Sequence, residues 1–207
     1  MRATHRRWRL WPLAAAAIFF AAATGTTTEA SGVGAMSTGG QTSQPIGHYE
    51  FCNVNPSECS IRLRDYGPVI LSDELRGLVE EVNAAVNQAV KPLSDYDIYN
   101  KDEVWAYPDT MVGDCEDYVL EKRRQLAAEG ISLSNLLITV VRKPDNEGHA
   151  VLTLRTDRGD FILDNLRDDM RPWYKTGYRF LKRQSATHTG RWVSLREDQN
   201  MLVGAVQ

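Results

Sequence analysis

Apolar residues recur every three or four positions in one part of the chain and with a period of two in another. Between residues 73 and 90, leucines and valines follow the helical interval, which predicts an amphipathic helix over Asp73–Val90. Ser72 or Asp73 can cap this helix, and Pro92 stops it because proline lacks the amide donor that a helix needs. The N-terminal part of the ordered chain is therefore predicted to be helical.

A second helix is predicted from Cys115 to Glu129. Asp114 is a favourable N-cap residue, and Asp117 three positions later resembles a capping box with Asp in place of Glu. Gly130 is a natural stop, since glycine adopts the left-handed conformation that ends many helices. The thiol of Cys115 thus falls in the first turn of a helix.

After residue 130 the pattern changes to alternation and to short, continuous apolar runs, which predict β-strands. Turn residues at 144–148 and 156–159 separate the first three strands. The predicted strands are Leu136–Arg142, His149–Arg155, Asp160–Asp164, Arg179–Arg183 and Arg191–Leu195. Helices followed by an antiparallel meander predict an α+β fold, in which N-terminal helices pack on an antiparallel β-sheet.

The N-terminus has the features of a secretory signal peptide. A basic start that includes Arg6 and Arg7 precedes an alanine-rich apolar run over Leu10–Thr24, and small residues follow near Ala30. This run of about 15 residues is shorter than the roughly 20 that a membrane-spanning helix needs, and an uncleaved signal anchor is the alternative. We therefore predict a signal peptide over residues 1–30 and a mature protein that is periplasmic or secreted.

The composition of residues 31–207 predicts a flexible lead followed by one domain. Residues 31–48 are rich in Gly, Ser, Thr and Gln, which predicts a flexible lead, and residues 49–207 are long enough for one domain with a core. Cleavage near Ala30 would take the formal net charge from −3 to about −6, because four arginines and one glutamate leave with the signal peptide. This acidic balance predicts no nucleic-acid partner.

The cysteines lie in two different settings. Cys52 and Cys59 are seven residues apart around Pro56 in an exported chain, and we predict that they form a disulfide bond. Cys115 is then unpaired, which in a secreted protein indicates either a reactive residue or a bridge between molecules. A role as a small buried hydrophobic residue is disfavoured, because acidic residues flank Cys115 on both sides.

Cys115, His149 and Asp164 have the residue types of a thiol nucleophile with an oriented base. A tight turn at 156–159 pairs residue i with roughly residue 313–315 minus i, so His149 meets residues near 164–166. Asp164 is then within hydrogen-bonding reach of the imidazole. The helix N-terminus favours a thiolate at Cys115, and its backbone N–H is placed to serve an oxyanion hole.

Acidic neighbours oppose this activation. Asp109, Asp114, Glu116 and Asp117 would raise the pKa of the thiol unless they are capped, paired or metal-bound. Asp114, Glu116 and Asp117 are hard oxygen donors close together in sequence, and a Ca²⁺ ion would neutralise them, although their spacing is not that of an EF-hand. We therefore predict these three as metal ligands for Ca²⁺, and no organic cofactor.

Two pairs of residues each allow two interpretations. Asn83 and Asn87 share a helix face, either as an ordinary polar contact or with one of them facing the reaction centre. Trp105 and Tyr107 precede the candidate nucleophile, and either line a substrate groove or fill the core.

The segment GDCEDY at 113–118, together with GHAVL at 148–152 and FILDN at 161–165, resembles the bacterial transglutaminase-like cysteine peptidases. The resemblance runs from about Phe51 to Leu195 and includes WAYP at 105–108 and TGYRF at 176–180. It implies a papain-like core with a triad, in which Cys115 is the nucleophile, His149 the base and Asp164 the orienting acid.

Some periplasmic members of this family are calcium-dependent proteases that cut surface adhesins, and a cyclic-di-GMP receptor in the inner membrane sequesters them. The resemblance therefore implies Ca²⁺ at Asp114, Glu116 and Asp117, a protein substrate such as a cell-surface protein, and an inner-membrane regulator. The loop between Cys52 and Cys59 is not among the features that carry the resemblance to the adhesin-cutting members, and it indicates a related branch of the family.

The leading hypothesis is an exported cysteine peptidase that hydrolyses a peptide bond through a thioester acyl-enzyme. A transglutaminase or an amidase would use the same triad and differ only in its substrate groove. A binding module that keeps the fold without turnover is the hypothesis from another class, and the presence of all three triad residue types argues against it.

Overall fold

A computed structural model describes residues 34–196 of the chain. The signal peptide predicted over 1–30 lies outside the described residues, as do residues 197–207. No helix in the described part of the chain is long and apolar enough to cross a membrane.

An antiparallel sheet forms the centre of the fold. The strands are, in chain order, β1 (Thr38–Thr42), β2 (Lys91–Pro92), β3 (Val112–Gly113), β4 (Leu136–Arg142), β5 (Gly148–Thr156), β6 (Gly159–Asp164), β7 (Arg167–Pro172), β8 (Arg179–Ser185) and β9 (His188–Leu195). Seven of them form the sheet, in the order β1-β9-β8-β4-β5-β6-β7, and β2 and β3 make a short parallel pair.

Helices cover one face of this sheet. They are α1 (Ile46–Val54), α2 (Pro56–Cys59), α3 (Asp73–Ala89), α4 (Asp95–Tyr99) and α5 (Cys115–Ala128). Helix α3 packs against α5 and β7, and α5 packs against β4 and β5. The larger hydrophobic core lies between them and contains buried residues such as Val79, Leu126 and Leu152. The predicted α+β fold is confirmed.

The strongly patterned elements form where the sequence predicts them. Helix α3 begins at Asp73, and Ser72 caps it by accepting the Leu75 N–H at 3.1 Å. Helix α5 begins at Cys115, and the five predicted strands correspond to β4, β5, β6, β8 and β9. These elements have a buried apolar face, so their periodicity is visible in the sequence.

The prediction of a flexible lead over 31–48 is wrong for residues 34–48, the part that the structure describes. Thr38–Thr42 forms β1, which pairs with β9, and α1 begins at Ile46. The sequence does not predict β1 or β7, the two edge strands of the sheet, and the reason is the same for both. Strand β1 has no buried residue, and in β7 only Met170 is buried, so neither strand shows apolar alternation.

The predicted disulfide between Cys52 and Cys59 is present. It joins α1 to the end of α2, with the two Cα atoms 5.5 Å apart. Cys115 is the free cysteine of the described chain. The two short helices are thereby closed into one small loop, and the thiol at Cys115 stays available for chemistry.

Replacing the paired cysteines, Cys52→Ala with Cys59→Ala, is expected to lower the free energy of unfolding by about 2–3 kcal/mol, since the cross-link restricts the unfolded chain. Urea unfolding at 25 °C measures this. Cys115→Ala is the control and should unfold close to the wild-type midpoint. A double variant as stable as the wild type would show that the disulfide adds no stability.

Candidate active site

Cys115 begins α5 and lies beside strand β5. Its side chain is half-buried, and the backbone N–H of Ala150 interacts with the sulfur in a way that favours the thiolate. Ala150 directly follows His149 on β5, the strand against which α5 packs. The Cys115 sulfur therefore lies against the backbone of the residue that adjoins the predicted base.

His149 and Asp164 meet across the β5–β6 hairpin. The strands pair Leu152 with Leu163, which puts Asp164 diagonally opposite His149 on the same face of the sheet. His149 Nε2 lies 2.9 Å from Asp164 Oδ1, and both side chains are 5% exposed. The predicted contact is present, and it lies where little water can compete with it.

The Asp164 carboxylate is held on every side. Besides the contact with His149, its Oδ1 accepts the Leu166 N–H at 3.1 Å, and its Oδ2 accepts the Tyr178 hydroxyl at 2.6 Å. Asn87 donates to the Asp164 backbone carbonyl at 3.1 Å. Burial by itself would raise the pKa of Asp164, but the donors around the carboxylate hold it below its ordinary value. Asp164 is therefore a fixed, ionised group.

This contact determines which ring nitrogen of His149 is available to the thiol. Since Nε2 is directed at Asp164, it carries the proton that the carboxylate accepts. Nδ1 then holds the free lone pair. This is the tautomer in which His149 can accept a proton from Cys115.

Tyr178 is a functional neighbour that the sequence does not single out as part of the site. Its ring meets the imidazole of His149 edge to face, with the ring centres 5.7 Å apart. Tyr178 comes just before β8, and β8 reaches His149 across β4, where Val141 pairs with both Phe180 and His149. Only the strand order of the sheet brings these residues together.

Burial and an acidic neighbour both favour the protonated form of the thiol. Cys115 Sγ donates to Glu116 Oε2 at 3.1 Å. Burial, and then the charge of Glu116, raise the pKa of Cys115 well above its ordinary value. Burial and repulsion from Asp114 also raise the pKa of Glu116 to about 9. Asp109, by contrast, is exposed and pairs with Arg124 at 3.2 Å.

Three acids, Asp95, Asp114 and Asp117, meet beside the first turn of α5. One carboxylate oxygen from each lies within 4.8 Å of the other two. Asp95 Oδ1, Asp114 Oδ1 and Asp117 Oδ2 are buried and have no hydrogen-bond partner in the described part of the chain. Burial is the main cause that raises the pKa of Asp95 to about 6 and that of Asp117 to about 7, and mutual repulsion adds to it.

The other oxygens of this acidic cluster bind the segment before β3. Asp95 Oδ2 accepts the Val104 N–H, and Asp117 Oδ1 accepts the Ala106 N–H at 2.8 Å. The predicted capping box is wrong, because Asp114 occupies the N-cap position of α5 but its side chain makes no cap hydrogen bond. The carboxylate of Asp114 belongs to the cluster instead.

A hard cation fits these three oxygens. Unpaired carboxylate oxygens are the ligands that Ca²⁺ prefers, and a cation would remove the repulsion that raises their pKa values. Gly113 leaves room for the cluster, since a Cβ there would lie 2.6 Å from Asp117 Oδ2. Glu116, the third ligand predicted from the sequence, groups with Asp114 and the Cys115 thiol rather than with Asp95 and Asp117.

No pattern in the sequence singles out Asp95. It lies on α4, and Ser94 caps this helix by accepting the Asp97 N–H. The capping serine was the available local signal for a short helix. Proximity to Asp114 and Asp117 arises only from the fold, so no sequence pattern contained it.

The structure also decides the two pairs of open interpretations. Asn83 and Asn87 both donate to the backbone carbonyl of Arg167 and hold the start of β7, and Asn87 also donates to the backbone carbonyl of Asp164. Trp105 is buried and packs edge to face on Trp192 in the core. Trp105 and Tyr107 also line a cleft of about 430 Å³ beside α1. Cys115 is not among the residues that line this cleft.

Comparison with known proteins assigns the chain to a family. Residues 38–200 match the family described as bacterial transglutaminase-like cysteine proteinase, BTLCP. The chain belongs to this family. The resemblance drawn from the GDCEDY segment is thereby confirmed, and the match covers every residue of the site described above. No curated protein matches the sequence.

Solved structures of LapG from Legionella pneumophila are similar to this chain. A calcium-bound LapG structure is 22% identical with a TM-score of 0.50, and the match covers 76% of this chain and 86% of that one. Another LapG structure is 27% identical with a TM-score of 0.48, and covers 56% of this chain. In that match this chain spans 66% of the length of LapG. The calcium-bound structure supports the transglutaminase-like fold.

Tyr178→Phe is expected to slow the reaction of Cys115 with iodoacetamide by about tenfold or more, because a hydrogen bond to a charged group stabilises by about 1.5–3 kcal/mol. Intact-mass spectrometry after timed exposure measures the rate. Tyr174→Phe is the matched control, since Tyr174 lies on the same segment but is exposed. Equal rates in the two variants would show that the Tyr178 hydroxyl does not support Asp164.

Proposed function

We propose that this protein is an exported cysteine peptidase that acts through Cys115, His149 and Asp164. The observation that carries the proposal is the buried 2.9 Å contact between His149 Nε2 and Asp164 Oδ1, at the strand that adjoins the thiol. Membership of a cysteine proteinase family supports it. Export follows from the N-terminal signal peptide predicted from the sequence, so the proposed place of action is the periplasm or the outside of the cell.

In the proposed reaction, His149 Nδ1 takes the proton of the Cys115 thiol, and the thiolate attacks the carbonyl carbon of a peptide bond. Asp164 stabilises the imidazolium that forms. The tetrahedral oxyanion accepts hydrogen bonds from backbone N–H groups at the start of α5. His149 then gives its proton to the leaving amine, which leaves a thioester on Cys115. His149 next activates a water molecule, which releases the acid product and restores the thiol.

We further propose that Asp95, Asp114 and Asp117 hold a Ca²⁺ ion. The support is their three buried and unpaired carboxylate oxygens, which need a positive partner at neutral pH. LapG, which shares the fold, has a structure described as calcium-bound. When bound, the ion would supply positive charge beside the thiol. The other carboxylate oxygens of Asp95 and Asp117 hold the segment before β3, because they accept the backbone N–H groups of Val104 and Ala106.

The substrate in this proposal is a protein, as expected for a peptidase. A cell-surface substrate and an inner-membrane regulator remain predictions from the family resemblance. A transferase or an amidase would use the same three residues, so product analysis with and without an added amine separates those reactions from hydrolysis.

Cys115 is expected to react with iodoacetamide at neutral pH much faster than an ordinary thiol when calcium is present, and more slowly in a chelator. Intact mass of the non-reduced protein measures this, with Cys52 and Cys59 protected by their disulfide. Cys115→Ala should abolish peptide cleavage while the melting temperature changes by only a few degrees. Labelling at the rate of a free thiol in both conditions would favour a binding module without turnover.

Calcium is expected to stabilise the protein more at pH 8 than at pH 5. Burial raises the pKa of Asp95 to about 6 and of Asp117 to about 7, against 3.8 for an ordinary aspartate. The calcium-free fold therefore loses stability as the pH rises from about 4 to about 7, when these acids ionise. Melting temperatures at both pH values, with calcium and with chelator, measure the effect.

Asp95→Asn tests whether the acidic cluster is responsible for the stabilisation by calcium. It should reduce the calcium-dependent rise in melting temperature at pH 8, because one charged ligand is lost. Asp102→Asn is the matched control, since Asp102 is an exposed acid a few residues further on. A calcium effect that is unchanged in Asp95→Asn would place the ion elsewhere.

A further inference from the structure

Two arginines, Arg142 and Arg179, lie at the end of the sheet that also carries His149. Strands β4 and β8 pair Arg142 directly with Arg179, and strands β4 and β5 pair Arg142 with Gly148. Gly148 directly precedes His149. The proposed reaction uses neither arginine, although Arg142 is on the strand next to the proposed base and Arg179 is on the strand beyond it.

The arginines leave the sheet on the side where Cys115 lies. Side chains alternate between the two faces of a strand. Val140 and Ala150 belong to the core between the sheet and the helices, and Cys115 packs against that core. Arg142 lies two residues after Val140 on β4, so its side chain is on the same face of the sheet. Arg179 is directly opposite Arg142 and shares this face.

Gly148 leaves open space on this face, beside Arg142. A Cβ built on Gly148 would have no atom of the surrounding structure within 4 Å. Ala150, whose backbone N–H interacts with the Cys115 sulfur, lies two residues further along β5, which is a distance of about 7 Å. Neighbouring strands are about 5 Å apart. A peptide held at the thiol therefore has room to extend over Gly148 towards the two arginines.

Neither arginine has a carboxylate partner in the described part of the chain. Arg142 donates to a backbone carbonyl of the β4–β5 turn at 2.7 Å, and Arg179 is exposed. The two acids of that turn, Asp145 and Glu147, pair with Lys143 instead, at 3.5 and 2.6 Å. The positive charge of the two arginines is therefore available to a ligand.

Other arginines of the sheet are neutralised by acids. Arg155 and Arg183 each pair with an aspartate, at 3.0 and 2.8 Å. Arg142 and Arg179 instead place two like charges directly opposite each other, which destabilises an antiparallel pair of strands. A carboxylate between them would remove this repulsion, and guanidinium groups bind carboxylates through two parallel N–H donors.

We propose that Arg142 and Arg179 form a subsite that binds a carboxylate of the substrate, within about two residues of the scissile bond. The carboxylate belongs either to an acidic side chain or to the C-terminus of a peptide. This inference deepens the proposed function and rests on it, because the subsite serves a substrate only if a peptide is held at Cys115. We call Arg142 and Arg179 the arginine subsite.

The first measurement compares two alkylating reagents at Cys115. Iodoacetate carries a carboxylate and iodoacetamide is neutral, so the ratio of their rates reports the charge near the sulfur and cancels changes in the thiol itself. Arg142→Gln should lower the ratio of iodoacetate to iodoacetamide about threefold at low salt, and less at high salt, because ions screen exposed charges. Timed intact-mass spectrometry of the full-length protein, with calcium present, measures both rates.

Three further variants make this measurement specific. Arg179→Gln should lower the ratio in the same direction, whereas Arg142→Lys keeps the charge and should keep the ratio near that of the wild type. Arg158→Gln is the matched control, since Arg158 is exposed in the turn between β5 and β6, at the other end of the hairpin. Melting temperatures show that each variant is folded. Equal ratios in Arg142→Gln, Arg179→Gln and the wild type would overturn the proposal.

The second measurement is cleavage specificity. A library of peptides is incubated with the protein, and mass spectrometry identifies the new termini. The wild type should favour peptides with a carboxylate near the cut, and Arg142→Glu should shift this preference towards Lys or Arg, because it reverses the charge of one member of the arginine subsite. Cuts beside internal Asp or Glu indicate a side-chain carboxylate. Cuts near the C-terminus that are lost when the peptides are amidated indicate the terminal carboxylate.

The failure of this inference and the failure of the proposed function give different results. Cleavage without a preference for a carboxylate, or with a preference that Arg142→Glu does not change, overturns the arginine subsite and leaves the peptidase function standing. No cleavage by the wild type, together with iodoacetamide labelling of Cys115 at the rate of a free thiol, overturns the peptidase function. The ratio of the two reagents then still decides whether the arginines attract a carboxylate to this place.

Discussion

The register of the β5–β6 hairpin is the constraint on which the site depends. Its pairing of Leu152 with Leu163 puts His149 and Asp164 on one face at diagonal positions. A slip by one residue would send one of the two side chains to the opposite face of the sheet. The same strands bear α5, so the hairpin also sets where the Cys115 thiol lies. One register therefore fixes all three residues of the proposed triad.

Acids are buried in two ways around this hairpin. The Asp164 carboxylate accepts hydrogen bonds from N–H and O–H groups, so it is ionised in spite of its burial. Asp95, Asp114 and Asp117 instead keep three oxygens without donors, and burial raises their pKa values. The protein supplies everything that Asp164 needs, whereas the acidic cluster is complete only with a cation. That contrast separates an orienting acid from candidate metal ligands by structure alone.

The sequence predicts most of what depends on neighbouring residues. The periodicity of α3 and α5, the turn at 156–159 and the contact between His149 and Asp164 all follow from short-range patterns. What it misses depends on distant parts of the chain. Tyr178 reaches Asp164 through the strand order β5-β4-β8, and Asp95 reaches Asp117 through the packing of α4. The edge strand β1 is missed because none of its residues is buried.

Helix α5 carries charged residues at positions that face the core. A helix that packs on a sheet normally buries apolar residues, yet Glu116, Asp117 and Lys122 of α5 are buried. Each such residue lowers stability unless a partner compensates it. Val119 and Leu126 on the same helix make the apolar contacts that keep α5 on the sheet. Helix α5 therefore combines an apolar face that packs on the sheet with buried charged residues that begin beside the Cys115 thiol.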